Sequence, residues 1–374
     1  MAFSFFKKLT SREQKQESHN GPHYYDLKVK QIVQETRDAI SIVFENPEGG
    51  PISYKAGQFL TLIANVDDKE VRRCYSLCSS PFVDDNLAVT VKRVEKGLMS
   101  NWLPDHLQAG QTIKVMAPTG HFTTEFSKDK KRHLVMFAGG SGITPIMSLI
   151  KSLLSQEPDS IVSLIYCNRN IDSIIFKDEL ARMETKDQGR LHVIHLLDEA
   201  PMNWQGLSGL LNHDLLVKMF ERIPDWGIDK TTYLMCGPEG MMKNVDGLLA
   251  ELKIPKEKIF KESFVTPTID KEQKKQVEVS DEKKDHTVTI RYDGQEYKVL
   301  VPAGRHILET ALDQGIDLPY SCQSGLCTAC RGKALSGKVK LDEEEGLSQS
   351  ERAEGYVLTC VGRPMSDDVV IEIG

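Results

Sequence analysis

Three cysteines, Cys322, Cys327 and Cys330, sit in the segment SCQSGLCTACRG with the spacing C-x4-C-x2-C, and a fourth, Cys360, follows at a distance. This is the spacing of plant-type [2Fe-2S] ligation, in which four thiolates hold two irons. Gly325 and Gly332, with the small residues Ser321, Ser324, Thr328 and Ala329, let the backbone wrap closely around such a group. A structural zinc site pairs two short C-x-x-C knuckles, and only one is present here. A Rieske centre needs two histidines in place of two cysteines, and the loop has none.

A chain of 374 residues is long for one domain and is expected to form two or three. A formal net charge of -7 argues against nucleic acid as a partner, because phosphate binding wants a basic surface. The N-terminal MAFSFFKKLT has too short an apolar run for a secretory core or a membrane span. A cytoplasmic location is therefore expected, where eight cysteines stay reduced and special spacings read as metal ligands.

Residues 24–126 contain short alternating runs such as LKVKQIV, AISIVF, FLTLIANV and LAVTVKRV, broken by Gly, Pro, Asn and Asp. They predict a small antiparallel β-barrel. From 131 to 264 continuous apolar runs (HLVMFA, SIVSLIYC, RLHVIHLL, TTYLMC) alternate with amphipathic stretches. One carries Ile146, Leu149, Ile150, Leu153 and Leu154; another carries Met241, Val245, Leu248, Leu249 and Leu252. That pattern predicts a doubly wound α/β domain with a parallel sheet. Residues 265–285 are too polar to fold and read as a flexible linker. Strands resume over 286–374, with a helix near His306–Gln314. Cys74, Cys78 and Cys167 lie in strand-like runs and are expected in the core.

LPYSCQSGLCTACRGKALSGKV, with VLTC near the end, resembles the plant-type ferredoxin domain, a β-grasp fold. The resemblance makes Cys322, Cys327, Cys330 and Cys360 the cluster ligands.

Within the barrel segment, Arg73-Cys74-Tyr75-Ser76 ends one run, Val91-Lys92-Arg93-Val94 ends another, and Gly97-Leu98-Met99-Ser100 opens a helix. A flavin dinucleotide needs a cation at its pyrophosphate, an aromatic group against its ring and a hydroxyl near N5, and a helix N-terminus suits phosphate. R-x-Y-S alone fits an ordinary strand as well. Together with the next module it resembles the ferredoxin-NADP reductase superfamily. That resemblance implies Arg73 at the pyrophosphate, Tyr75 on the flavin and Ser76 near N5, with Val91, Arg93, Gly97 and Ser100 completing the site. A second phosphate-binding segment favours FAD over FMN.

HLVMFAGGSGITPIM is a strand, a glycine turn and a helix, in which Gly140 and Gly142 permit close approach to a pyrophosphate and Pro145 suits the first helical turn. The superfamily's form G-x-G-x-x-P is met, adding Thr144 to the expected nicotinamide-cofactor contacts. Cys236-Gly237-Pro238 follows an apolar strand, where ligands bind in open sheets. By resemblance Cys236 shapes hydride-transfer geometry beside the nicotinamide; the alternative reading is a buried structural cysteine. Glu262 and Phe264 end the module near the flavin in relatives, or simply form a charged strand exit. Arg169 and Ser173 follow SIVSLIYC where NAD enzymes usually carry an acidic residue, which suits the 2'-phosphate of NADPH, with NADH as the alternative.

The domain order resembles the reductases of oxygenase systems, that of phenylacetyl-CoA epoxidase among them, and the reductase of hybrid-cluster protein. It implies an NAD(P)H:acceptor oxidoreductase carrying electrons through FAD and a [2Fe-2S] cluster to an oxygenase or other protein acceptor. A non-enzymatic redox carrier or sensor would need only the cluster, and the two nucleotide modules argue against it. The acidic run Glu343, Glu344, Glu345 is a candidate docking face for a basic partner, or a solvated face.

Overall fold

The alternating runs become six antiparallel strands because each places its apolar residues on an inner face. They are β1 (Tyr24–Thr36), β2 (Ala39–Phe44), β3 (Phe59–Val66), β4 (Lys69–Ser76), β5 (Ala88–Lys92) and β6 (Thr112–Thr119), in the order β4-β3-β6-β1-β2-β5. A bridge between Leu77 and Val89 brings the two edges together, and Leu27, Ile42, Leu60, Leu62, Val89 and Val115 fill the interior. Helix α1 (Leu98–His106) lies between β5 and β6 and sends Met99 and Leu103 into that core. The computed structural model describes residues 23–187, 189–264, 284–344, 346–347 and 349–373.

The second sheet is parallel, built from β7 (His133–Gly139), β8 (Ile161–Asn168), β9 (Leu191–Leu197), β10 (Leu207–Ser208), β11 (Thr231–Cys236) and β12 (Ile259–Glu262). Its order is β10-β9-β8-β7-β11-β12. Every residue of β7 is buried, as a strand covered on both faces requires. The connecting helices are α2 (Ile143–Gln156), α3 (Lys177–Lys186), α4 (His213–Phe220) and α5 (Glu239–Glu251). Leu252 departs from its expected place in the apolar stripe of α5: it is 45% exposed. Lys253 takes a left-handed φ of 56°, and Ile254 N–H returns to the Leu249 carbonyl at 2.9 Å, so the chain turns off the helix before Leu252 can face the sheet.

The first two units are fixed to one another. Ser148 Oγ donates to the Ser79 carbonyl at 2.5 Å, and the hydroxyls of Ser80 and Ser152 are 2.8 Å apart, both pairs buried. Arg132 forms a bidentate pair with the fully buried Glu157, at 3.0 and 2.7 Å, and also donates to Thr124 Oγ1 at 2.9 Å.

The third unit has β13 (His286–Tyr292), β14 (Gln295–Val301), β15 (Arg331–Ser336), β16 (Val339–Leu341), β17 (Tyr356–Leu358), β18 (Gly362–Pro364) and β19 (Val369–Ile373). The main sheet runs β14-β13-β19-β15-β17, with β13 parallel to β19, and β16 pairs with β18. A helix over Ile307–Asp313 packs Ile307, Leu308 and Ala311 into its core. The expected linker, 265–285, falls outside the described residues except for its end, where Lys284 pairs with Asp367 and Asp285 accepts Ala303 N–H at 3.0 Å. The fold class of barrel, doubly wound α/β domain and ferredoxin-like domain holds throughout.

Candidate functional site

β4 pairs with β3 in the register Leu62 to Arg73, Leu60 to Tyr75 and Phe59 to Ser76. Arg73 Nη1 donates to the Arg72 carbonyl at 2.8 Å. Tyr75 is half-buried, its phenol held above the ordinary range by burial, and Ser76 is buried. The side chain of Val91 lies wholly inside the barrel core, so only its backbone is available to a ligand. Arg93 is engaged within the protein, donating to both Asp105 oxygens at 3.1 and 2.5 Å and to the Asn101 carbonyl at 3.1 Å. It ties the exit of β5 to α1. At Gly97 a Cβ would stand 2.3 Å from Ser100 Oγ, which accepts Val94 N–H at 3.3 Å. The N-terminus of α1 has neither a side-chain cap nor an acidic residue in its first turn, leaving amides suited to phosphate.

β7 lies between β8 and β11, and the chain leaves it first toward one side and later returns on the other. This switch point brings the two glycine turns together. A Cβ on Gly142 would lie 2.0 Å from the Cys236 carbonyl oxygen, and one on Gly139 2.5 Å from Pro238 Cδ. No side chain fits between them. Gly140 has a φ of 51°, and its carbonyl accepts from Tyr166 Oη at 3.0 Å. Thr144 Oγ1 donates to the Ser141 carbonyl at 3.0 Å, and Thr144 and Pro145 are buried in the first turn of α2, whose N-terminus has no side-chain cap. Lys92, at the end of β5, places Nζ 3.6 Å from where a Gly140 Cβ would be, with Asp38 at 3.8 Å. The motifs gave it no role; its place beside Arg93 in VKRV was the available signal.

Cys236 is fully buried, and burial with the nearby Glu262 pushes its thiol far up, so it is neutral and no nucleophile. Glu262 is the register partner of Cys236. Burial and the neighbouring Glu351 push its carboxyl up to about 8. Phe264 is 43% exposed. Arg169 is exposed just past β8, with Asp198 as a charged neighbour. Ser173 Oγ donates to the Asn170 carbonyl at 2.8 Å and accepts Asn170 N–H at 3.1 Å, which closes the turn after Arg169.

In the cysteine loop, Cys322 is within hydrogen-bonding reach of Cys327 and Cys360, and Cys360 of Cys330. These donors, with Ser324 N–H at 3.5 Å from Cys322 Sγ, draw Cys322 toward the thiolate. Among the described residues no group of three or more His, Cys, Asp or Glu side chains converges on a single metal ion. The four sulfurs run as a chain of neighbours, which suits ligands shared between two irons. Among the described residues the buried hydroxyls of Ser321 and Thr328 have no hydrogen-bond partner and that of Ser324 has only the Cys322 sulfur, and all three lie in this loop. Sulfide acceptors would satisfy them, so the residues fit a cluster. Gly325 has a φ of 74°, and a Cβ there would meet Glu343 Cβ at 2.7 Å. Of the acidic run, Glu343 thus packs over the loop, Glu344 pairs with Arg352, and Glu345 lies outside the described residues.

Cys74, expected in the core, is instead only partly buried at the edge of the barrel, 3.6 Å from Thr61 Oγ1 and within reach of Cys327. Cys78 is buried in a core cluster.

A barrel with a phosphate-ready helix, a switch-point nucleotide crevice and a cysteine loop together define an NAD(P)H-dependent flavin and iron-sulfur oxidoreductase. Family models match in the same order: an oxidoreductase FAD-binding domain at 26–124, an oxidoreductase NAD-binding domain at 136–247 and a 2Fe-2S iron-sulfur cluster binding domain at 290–365. The chain is 34% identical over 352 residues to one of the subunits of 1,2-phenylacetyl-CoA epoxidase from Escherichia coli K12, covering 93% of this chain and 97% of that one. It is 38% identical over 361 residues to the ferredoxin reductase component of 3-ketosteroid-9-alpha-monooxygenase from Mycobacterium tuberculosis, covering 94% and 96%. The chain belongs to this family of three-domain reductases. Phthalate dioxygenase reductase shares the fold with a TM-score of 0.57 at 24% identity, over 94% of this chain and 98% of that one. No helix among the described residues is long and apolar enough to cross a membrane.

Proposed function

We propose that the chain takes hydride from NADPH and delivers electrons singly to an oxygenase component, with phenylacetyl-CoA epoxidase the first acceptor to test. The observation that carries this reading is the convergence of three residue sets at one junction. The Gly139–Gly142 turn rests on Cys236–Pro238, Lys92 of the barrel stands over Gly140, and the cysteine loop abuts β4. FAD, when bound, accepts a two-electron hydride and releases electrons one at a time, which a [2Fe-2S] cluster requires.

The residues do the positioning. Arg73 and the α1 N-terminus hold the pyrophosphate, Tyr75 covers the flavin ring, and Ser76 faces the reacting edge. Gly140, Gly142, Thr144, Pro145 and Gly237 let the nicotinamide cofactor lie against the backbone, while Cys236 shapes the nicotinamide end without ionising. Cys322, Cys327, Cys330 and Cys360 are the cluster ligands. Arg169 and the turn closed by Ser173 receive the 2'-phosphate, since no acidic side chain stands at positions 168–171. The domain limits are 24–126, 131–264 and 286–374, and the compartment is the cytoplasm, where the thiols stay reduced.

The test is kcat/KM of the FAD- and cluster-loaded protein with NADPH and with NADH, followed by turnover with purified oxygenase components acting on phenylacetyl-CoA, a 3-ketosteroid or glycine betaine. Preference for NADPH and product from the phenylacetyl-CoA system are expected. NADH preference refutes the cofactor assignment, and no turnover with any oxygenase refutes the acceptor class.

A further inference from the structure

Side chains alternate along a strand, so β4 has two faces. Arg73 and Tyr75 share one; Arg72 and Cys74 share the other. On that second face the Arg72 guanidinium sits 4.1 Å from the ring centroid of Tyr320, two residues before Cys322. Arg72 Nη1 donates to Tyr24 Oη at 3.1 Å, and Tyr24 Oη in turn donates to Asp317 Oδ1 at 3.3 Å. Arg72 Nε is held by Glu70 at 2.8 Å, and the Arg72 side chain is only 11% exposed. A cation this covered, stacked on an aromatic ring from another domain, differs from a solvated surface charge. Further along the same face, the Cys74 thiol reaches Cys327.

We infer that Arg72 is a positioning residue, clamping the loop that carries Cys322 and Cys327 against the back of the flavin-binding strand, so that β4 is the wall across which flavin-to-cluster electron transfer occurs. The step served is transfer of one electron, oxidising the flavin and reducing the cluster, with no bond made or broken and with NADPH as the source. The inference rests on the proposed placement of FAD and cluster, and its test reads the clamp separately from that placement.

In the full-length loaded protein, Arg72→Ala is expected to keep FAD and iron content, both midpoint potentials and the rate of flavin bleaching by NADPH. Cluster bleaching should slow about tenfold, because a small displacement between reacting groups has a large rate cost. Hydrogen exchange should rise in Lys69–Ser76 and in 317–330. Tyr320→Leu, on the opposite side, should do the same, and the double variant should be no slower than either single one. Unchanged cluster bleaching and unchanged exchange in both single variants would overturn the clamp, as would loss of FAD from Arg72→Ala, which would move Arg72 to the flavin. If the unaltered protein shows no flavin bleaching by NADPH, the reductase reading fails; the exchange measurement still decides the clamp.

Discussion

Glu262, at the end of the nicotinamide-binding sheet, has Glu351 of the ferredoxin-like domain as a charged neighbour. Glu351 is itself paired with Arg331, and His121 from the end of the barrel has both as charged neighbours. Burial and Glu351 raise Glu262 from an ordinary value of 4.5 to about 8, with the neutral Cys236 as its register partner on β11. A raised carboxyl binds more protons in the folded state. Its stabilising contribution is therefore full below about 4.5 and is lost as pH rises through about 8. Exchange protection at this junction, corrected for the intrinsic pH dependence of amide exchange, is expected to weaken as pH rises from about 4.5 to about 8 in the unaltered protein. Glu262→Gln, which cannot ionise, should flatten that dependence; an equal loss of protection in the variant would contradict the assignment to Glu262.

The Arg132–Glu157 pair is expected to dominate the stability of the barrel and nicotinamide units. Glu157 is fully buried, so Arg132→Ala leaves an unpaired carboxylate and should cost about 3–5 kcal/mol. Replacing both residues with apolar ones of similar volume, as in Arg132→Met with Glu157→Leu, should cost much less. Urea unfolding of Arg132→Met, Glu157→Leu and the double variant measures this, and additive losses would show that the pair carries no coupling.

How far this arrangement was legible in the sequence follows from the range of each signal. The cysteine loop, R-x-Y-S and the glycine turn are local patterns, and each remains within one strand–turn unit. Leu252 misled because helical periodicity continues one residue past the end of α5 at Glu251, just before the backbone reverses at Lys253, which periodicity does not register. Arg93 was legible as a cation near the flavin module, but its partner Asp105 lies across a turn and most of a helix and was not. Arg72 and Tyr320 are far apart in sequence and joined only by domain docking, so no spacing rule connects them. Cys74 looked like core for the same reason: alternation gives the face of a strand, but not what covers that face.

Gly142→Ala should separate nicotinamide binding from flavin binding. The added methyl would meet the Cys236 carbonyl carbon at 2.5 Å and Gly237 nitrogen at 2.9 Å, both backbone atoms with little room to yield. The two turns must part, and the cofactor's bed is lost. KM for NADPH is expected to rise at least tenfold, about 1.4 kcal/mol, while FAD content is unchanged. An unaltered KM would show that the contact between the turns has no part in binding.

Cys327→Ser is expected to abolish the visible and electron paramagnetic resonance signals of the [2Fe-2S] cluster while FAD remains bound. Among the four proposed ligands Cys327 is the one that faces Cys74 of the flavin barrel, so its loss tests both modularity and the junction. The proposed flavin-binding residues lie on β4 and α1, in a barrel with its own core, and none of the residues filling that core comes from the cysteine loop. Reduction of ferricyanide by NADPH, which draws electrons from the flavin, should stay within about twofold of the unaltered protein, because the substitution removes none of the proposed flavin contacts. Delivery to an oxygenase component should fall to background. Loss of FAD together with the cluster would mean that the barrel depends on the ferredoxin-like domain for its stability, and retention of the cluster signal would remove Cys327 from the ligand set.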